Sequence, residues 1–187
     1  MSESDKRSVT HWLGVFCFVA LFALVLSFGR FMTAQPQRSA GSSPDHRFAR
    51  NAAAGGMAEV KLGELAQEKA SDPSVRAFGR RMAEDHTKTG EQLKQLAQSQ
   101  NITLPAELEA VDQARYDQLS KLSGPEFDYA YMQMMVQDHE KDVAEFQKEA
   151  SSGKNTAIKN FAAQTLPTLE DHLREARDVA ANRKASL

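Results

Sequence analysis

Residues 59–86 read EVKLGELAQEKASDPSVRAFGRRMAEDH, and this stretch decides the fold. Leu62 and Ala66 on one side of it, and Val75, Phe78 and Met82 on the other, recur at helical spacing. The pattern breaks only at Asp72-Pro73, where aspartate suits an N-cap and proline the first helical position. So short a break between two long stripes predicts an antiparallel helical hairpin. Glu59 lies thirteen residues before Asp72 and His86 fourteen after it, so the hairpin sets them in one layer.

The same reading extends both ways. Ser43-Pro44 opens the first helix, whose stripe begins at Phe48, Ala52 and Gly55; the second continues through Leu93 and Leu96. Asn101 to Leu104 interrupts, and Pro105 is expected to open a shorter helix through Leu108, Val111, Leu119 and Leu122. Ser123-Gly-Pro-Glu126 has the form of a capping box before a stripe of Phe127, Tyr131, Met135, Val143 and Phe146. Gly153 ends that helix and Asn155 caps the last, which carries Ile158, Phe161, Thr165, Leu169, Leu173 and Ala176. No stretch alternates with period two. The prediction is all-α: a ferritin-like four-helix bundle over 44–182 with a long helical crossover through 101–123, and a short tail at 183–187.

The chain has 187 residues, 41% hydrophobic and 26% charged, with a net charge of −2. Those values suit one globular domain, and with no basic patch they set nucleic acid aside. After a tail of residues 1–11, the run from Trp12 to Gly29 carries no charge. Eighteen helical residues span about 27 Å, and Phe31 and Met32 extend them if Arg30 snorkels. A single-pass transmembrane anchor over 12–32 is therefore expected, followed by a Pro/Gly/Ser-rich linker over 33–43. A cleaved signal peptide is the rival, although its apolar core normally runs about 7–15 residues and no clear cleavage motif follows. Charge alone leaves the orientation open, because Arg30, Arg38, Arg47 and Arg50 outnumber Lys6 and Arg7. Cys17, the single cysteine, lies inside the apolar run and forms no internal disulfide.

Several motifs resemble one bacterial envelope family. They are Phe48-x3-Ala52, Gly55-Gly-Met-Ala-Glu-Val60, Met82-x-x-Asp-His86, Ile102-Thr-Leu-Pro105 and Phe161-x5-Pro167-x-Leu169-x-x-His172. The family is catalogued as domain of unknown function 4142, of exported or membrane proteins, and the resemblance covers about residues 45–180. It implies a ferritin-like domain on the periplasmic side of the bacterial inner membrane, and brings no activity or catalytic residues.

Four of five histidines follow an aspartate: Asp45-His46, Asp85-His86, Asp138-His139 and Asp171-His172. Around two of them, Met82-Ala-Glu-Asp-His-Thr-Lys88 matches Met135-Val-Gln-Asp-His-Glu-Lys141 at Met, Asp, His and Lys. His86, His139 and His172 stand at core-stripe spacings, as does Glu59. Asp85, Asp138 and Asp171 fall at the stripe edges, placed to accept from an imidazole of a neighbouring helix. Counting from the turns levels Glu59, His86 and His139, but leaves His172 five residues, about 7.5 Å, out of register unless Pro167 adjusts its helix.

Two function classes follow. Imidazole and carboxylate together suit a divalent transition metal, Zn²⁺, Fe²⁺ or Cu²⁺, with His86, His139, His172 and Glu59 as candidate ligands and the three aspartates behind them. Alternatively, the Asp-His layer fixes helix register in a structural or protein-interaction module, alone or as a homo-oligomer. Catalysis has little support. The residues three before the histidines are Ala83, Val136 and Leu169, so the Glu-x-x-His di-iron signature is missing. No nucleophile with a base or phosphate loop is recognisable. Met132, Met134 and Met135 can bind Cu(I) but read first as core, Tyr129 and Tyr131 as core or interface aromatics, and Gly55-Gly56 as a site of close helix packing.

Overall fold

The computed structural model describes residues 43–184. They form α1 (Pro44–Lys69), α2 (Pro73–Ser99), α3 (Ala110–Ser120), α4 (Gly124–Ser152) and α5 (Thr156–Lys184), with no strand among the described residues. The expected anchor 12–32 and all of the linker except Ser43 lie outside them. No helix among the described residues is long and apolar enough to cross a membrane.

Local chemistry sets the helix starts. The Ser43 hydroxyl accepts from the His46 amide and the Asp72 carboxylate from the Ser74 amide. The Asn155 side-chain oxygen accepts from the amides of Ala157 and Ile158. α1 pairs with α2 and α4 with α5, as the two tight turns require. Two buried aspartates then define how the hairpins combine. Asp128, the fifth residue of α4, accepts from the amides of Ser71 and Asp72 at 3.0 and 2.9 Å and from the Ser71 hydroxyl. At the opposite end Asp45, in the first turn of α1, accepts from the amides of Lys154 and Asn155. Each hairpin turn is thus pinned to the start of the other hairpin. α4 begins where α2 begins and runs parallel to it, so the segment between them travels the length of the bundle.

The core divides into two apolar halves. One gathers Leu62, Phe78, Met82, Phe127, Tyr131 and Met135; the other gathers Phe48, Leu93, Phe146, Ile158, Phe161 and Leu169. Met132 and Met135 are fully buried and Met134 packs against the first half, so the methionines serve as core. Between the halves, on every long helix, stands a polar residue of the layer: Glu59, His86, His139 and His172.

Three local expectations need correction. Pro105 does not open the crossover helix, which starts at Ala110, and Val111 is 59% exposed. Leu104 has no side-chain acceptor with which to cap a helix at Pro105, and Ile102 and Leu104 are drawn onto the second apolar half. The capping box at Ser123 does not form: its hydroxyl makes no cap bond, and Gly124 turns the chain into α4 through φ +64°. The close helix contact is at Gly63 and Gly79, where a Cβ on Gly63 would stand 2.5 Å from the Gly79 carbonyl oxygen. A Cβ on Gly55 would meet nothing within 4 Å.

Candidate metal centre

The histidine layer forms because three core stripes reach the same height. His86, His139 and His172 are 6%, 0% and 1% exposed, and Glu59 is 4% exposed. The ring centroids make a near-equilateral triangle of 5.7 Å (His86–His139), 5.3 Å (His86–His172) and 5.4 Å (His139–His172). The register offset of His172 vanishes through side-chain direction. In a helix Cβ leans toward the N-terminus. His139, nearer the α4–α5 turn, therefore leans away from it, while His172, farther along α5, leans back toward it.

Hydrogen bonding fixes which nitrogens face inward. His139 Nδ1 lies 3.0 Å from the Met135 carbonyl oxygen, which can only accept, so Nδ1 carries the proton and Nε2 a lone pair. His172 Nε2 lies 2.8 Å from an Asp85 oxygen. Burial works against ionisation of Asp85, but the His172 bond and Arg81 outweigh it, and the carboxyl is held below its ordinary range. Asp85 therefore accepts, and the lone pair of His172 sits on Nδ1. These two lone pairs face each other, with His139 Nε2 and His172 Nδ1 3.4 Å apart. His86 Nδ1 lies 2.9 Å from Glu59 Oε2, so with Glu59 ionised its Nδ1 donates and Nε2 is left as a lone pair. That Nε2 is buried with no hydrogen-bond partner.

Each imidazole thus has one nitrogen held by an oxygen and one free to act as a ligand, the arrangement that supporting carboxylates and carbonyls give metal-bound histidines. One ligand nitrogen from each ring lies within 4.8 Å of the others. Two nitrogens about 2.0–2.1 Å from a tetrahedral ion stand roughly 3.3–3.4 Å apart, the spacing of the His139–His172 pair. Burial keeps the rings neutral, lowering His86 and His172 to about 4 and lowering His139 as well. Neutral imidazole is the form that binds metal.

Glu59, a candidate ligand by sequence, stands behind His86 and orients it, with Oε1 3.5 Å from His139 Nδ1. Of the three aspartates only Asp85 reaches an imidazole, and it reaches across from α2 to α5. Asp138 accepts from Arg115 at 3.1 Å, and Asp171 pairs with Arg174 at the surface. The fourth Asp-His pair is separate: Asp45 clamps the far turn, and His46 lies outside the layer.

The geometry has relatives. A family model described as domain of unknown function (DUF4142) matches residues 30–179. The chain belongs to the DUF4142 family. Two solved structures share the fold at low identity. One is a DUF305 protein from Streptomyces coelicolor, with 17% identity, a TM-score of 0.66, and 77% of this chain and 94% of that one covered. The other is a DUF305 fragment from Deinococcus radiodurans, with 13% identity, a TM-score of 0.65, and 75% and 97% covered. None of the curated proteins matches.

Two residues of this DUF4142 domain bear on Glu59 without having been singled out for it. Asp142, one helical turn beyond His139, comes within hydrogen-bonding reach of Glu59. Burial raises Glu59 to about 7, and burial together with the nearby Glu59 raises Asp142 to about 8. The signal was His139-x-x-Asp142, a carboxylate three residues after a histidine rather than three before. Tyr131 is fully buried, its hydroxyl has no hydrogen-bond partner, and burial and Glu59 both raise its pKa. Its place in an apolar stripe gave no sign of this. Tyr129, by contrast, is 43% exposed.

Proposed function

We propose that this protein is a membrane-tethered, ferritin-like module on the periplasmic side of the inner membrane, holding one divalent transition metal. His86, His139 and His172 are the ligands; Glu59, the Met135 carbonyl and Asp85 orient them. The observation that carries the reading is the convergence of imidazole lone pairs in a buried layer, with His139 Nε2 and His172 Nδ1 3.4 Å apart and no proton assigned between them. A cation relieves that opposition. Zn²⁺, Fe²⁺ and Cu²⁺ suit such ligands, and three imidazoles leave a fourth position open to water or a further ligand. The charge-free run 12–29 supports the tether, and the envelope resemblance supports the periplasmic side. The role is metal holding rather than catalysis, since the layer carries no Glu-x-x-His pair.

Equilibrium titration of the metal-free full chain with Zn²⁺ and with Cu²⁺ is the test. One ion per chain should bind, and His86→Ala and His139→Ala should each abolish it. The structural reading has its own support: Asp85 joins α2 to α5 through His172 and also pairs with Arg81, a link that needs no metal. Wild-type binding by both variants, or none by the wild type, hands the layer to that reading.

A further inference from the structure

Three glycines lie inside helices where nothing in the packing asks for them. Gly55 and Gly56 are within α1 and Gly90 is within α2, and none takes a positive φ. A Cβ on Gly55 or Gly90 would meet nothing within 4 Å, and one on Gly56 only His86 Nδ1 at 3.8 Å. Glycine weakens a helix interior, so its use there needs another reason. All three line one cavity of about 680 Å³, bounded by α1, α2 and residues 102–106, with α4 and α5 behind. That volume falls within the range of about 300–1,000 Å³ typical of sites for small organic ligands. The absent side chains keep it open.

The lining changes character with depth. Its walls are mainly apolar, among them Leu93, Ile102, Phe146 and Phe161, while His86, Glu59 and Asp142 supply the polar inner end. His86 Nδ1 donates to Glu59 Oε2 at 2.9 Å, and Glu59 Oε1 faces His139 Nδ1 at 3.5 Å. Asp142 stands within hydrogen-bonding reach of Glu59, so a proton on either carboxyl is held between them. The second oxygen of the half-buried Asp142 is left as an acceptor for a ligand. Lys61 and Lys94, the lysines of the lining, are both exposed and belong to the outer rim.

We propose that this cavity binds an uncharged organic molecule with an apolar body and a terminal hydroxyl, the hydroxyl donating to Asp142 at the inner end. Removal of the body from water drives binding. An anionic head would meet carboxyls at the inner end, and a head of either charge would have to leave water for an apolar enclosure. A hydroxyl is far less costly to bury than an ion, and here it finds an acceptor. The site goes beyond the metal reading and does not depend on it.

Titration calorimetry of the metal-free full chain with 4-hexylphenol, its methyl ether 4-hexylanisole and 4-hexylbenzoate tests the site. One phenol should bind per chain, with the ether and the benzoate each weaker by about tenfold or more. Gly56→Leu and Gly90→Leu put a side chain into the space. Each should weaken the phenol about tenfold or more while melting no lower than wild type, and using both covers the case in which one folds poorly. Asp142→Ala should bring the phenol and the ether within about threefold of each other. Equal binding of phenol and ether by the wild type overturns the donor head. A benzoate that binds tighter than the phenol turns the ligand round, with its head at the rim lysines, and overturns the proposal too. Unchanged phenol binding in both glycine variants, or none by the wild type, overturns the site. The histidine centre is read separately, by metal titration, and stands or falls on its own.

Discussion

Gly63→Ala adds one methyl at the point where α1 and α2 touch. The new Cβ would stand 2.5 Å from the Gly79 carbonyl oxygen, 3.0 Å from the Ala83 nitrogen and 3.2 Å from the Met82 Cβ. Two of these atoms are backbone, so no side chain can swing aside. Carbon and carbonyl oxygen ordinarily approach to about 3.3 Å, so the helices must part by roughly 0.8 Å. Overpacking of this kind costs about 1–3 kcal/mol, and alanine's higher helix propensity returns at most about 1. A net loss of about 1–2 kcal/mol should lower the melting temperature by about 3–8 °C, read by calorimetry. The layer should feel it too: Glu59 is one turn from Gly63, and separation strains its 2.9 Å contact with His86. Gly90→Ala is the matched control, with nothing within 4 Å of its new methyl, and should stabilise by about 0.5–1 kcal/mol. Equal effects of the two substitutions would refute the close crossing.

Three further outcomes follow. Leu93→Ala should cost about 2–5 kcal/mol in denaturant unfolding, because Leu93 is 2% exposed in the second apolar half; a change within about 0.5 kcal/mol means that this helix face is wrongly assigned. Asp128→Ala strands two turn amides and the Ser71 hydroxyl and should cost about 2–4 kcal/mol by the same measurement, whereas a neutral result removes the clamp from the account. Without metal, stability should fall by about 1–2 kcal/mol between pH 6.5 and 8. The lowered imidazoles contribute their full stability above their unfolded value of 6.5, and the raised carboxyls lose theirs as pH climbs through about 7 to 8. Between about pH 4.5 and 6.5 the two trends oppose each other; a flat or rising curve above 6.5 would show that Glu59 and Asp142 ionise freely.

The hairpins and the inward turn of the three histidines were legible because helical periodicity is a local signal, repeated at each stripe. The burial of Glu59 was legible for the same reason, from its place between Gly55 and Leu62. What lay beyond reach depended on contacts between distant segments. Asp45 and Asp128 look like ordinary acids near helix starts, and only the fold shows each accepting from the opposite hairpin's turn. Asp138 was assigned to an imidazole because nothing in the sequence announces that Arg115 on the crossover will claim it. His172 looked displaced because residue counting follows Cα height and omits the opposed lean of side chains on antiparallel helices. Gly55-Gly56 drew attention as a pair, while the true contact joins two single glycines on different helices.

The central claim is that three imidazoles converge on one metal ion. X-ray absorption at the zinc edge of protein loaded with one equivalent of Zn²⁺ counts those ligands directly. The account predicts three imidazole nitrogens at about 2.0–2.1 Å, with their outer-ring scattering, and one lighter ligand completing a tetrahedron. A shell of oxygens alone, or a spectrum unchanged in His86→Ala and His139→Ala, would contradict it.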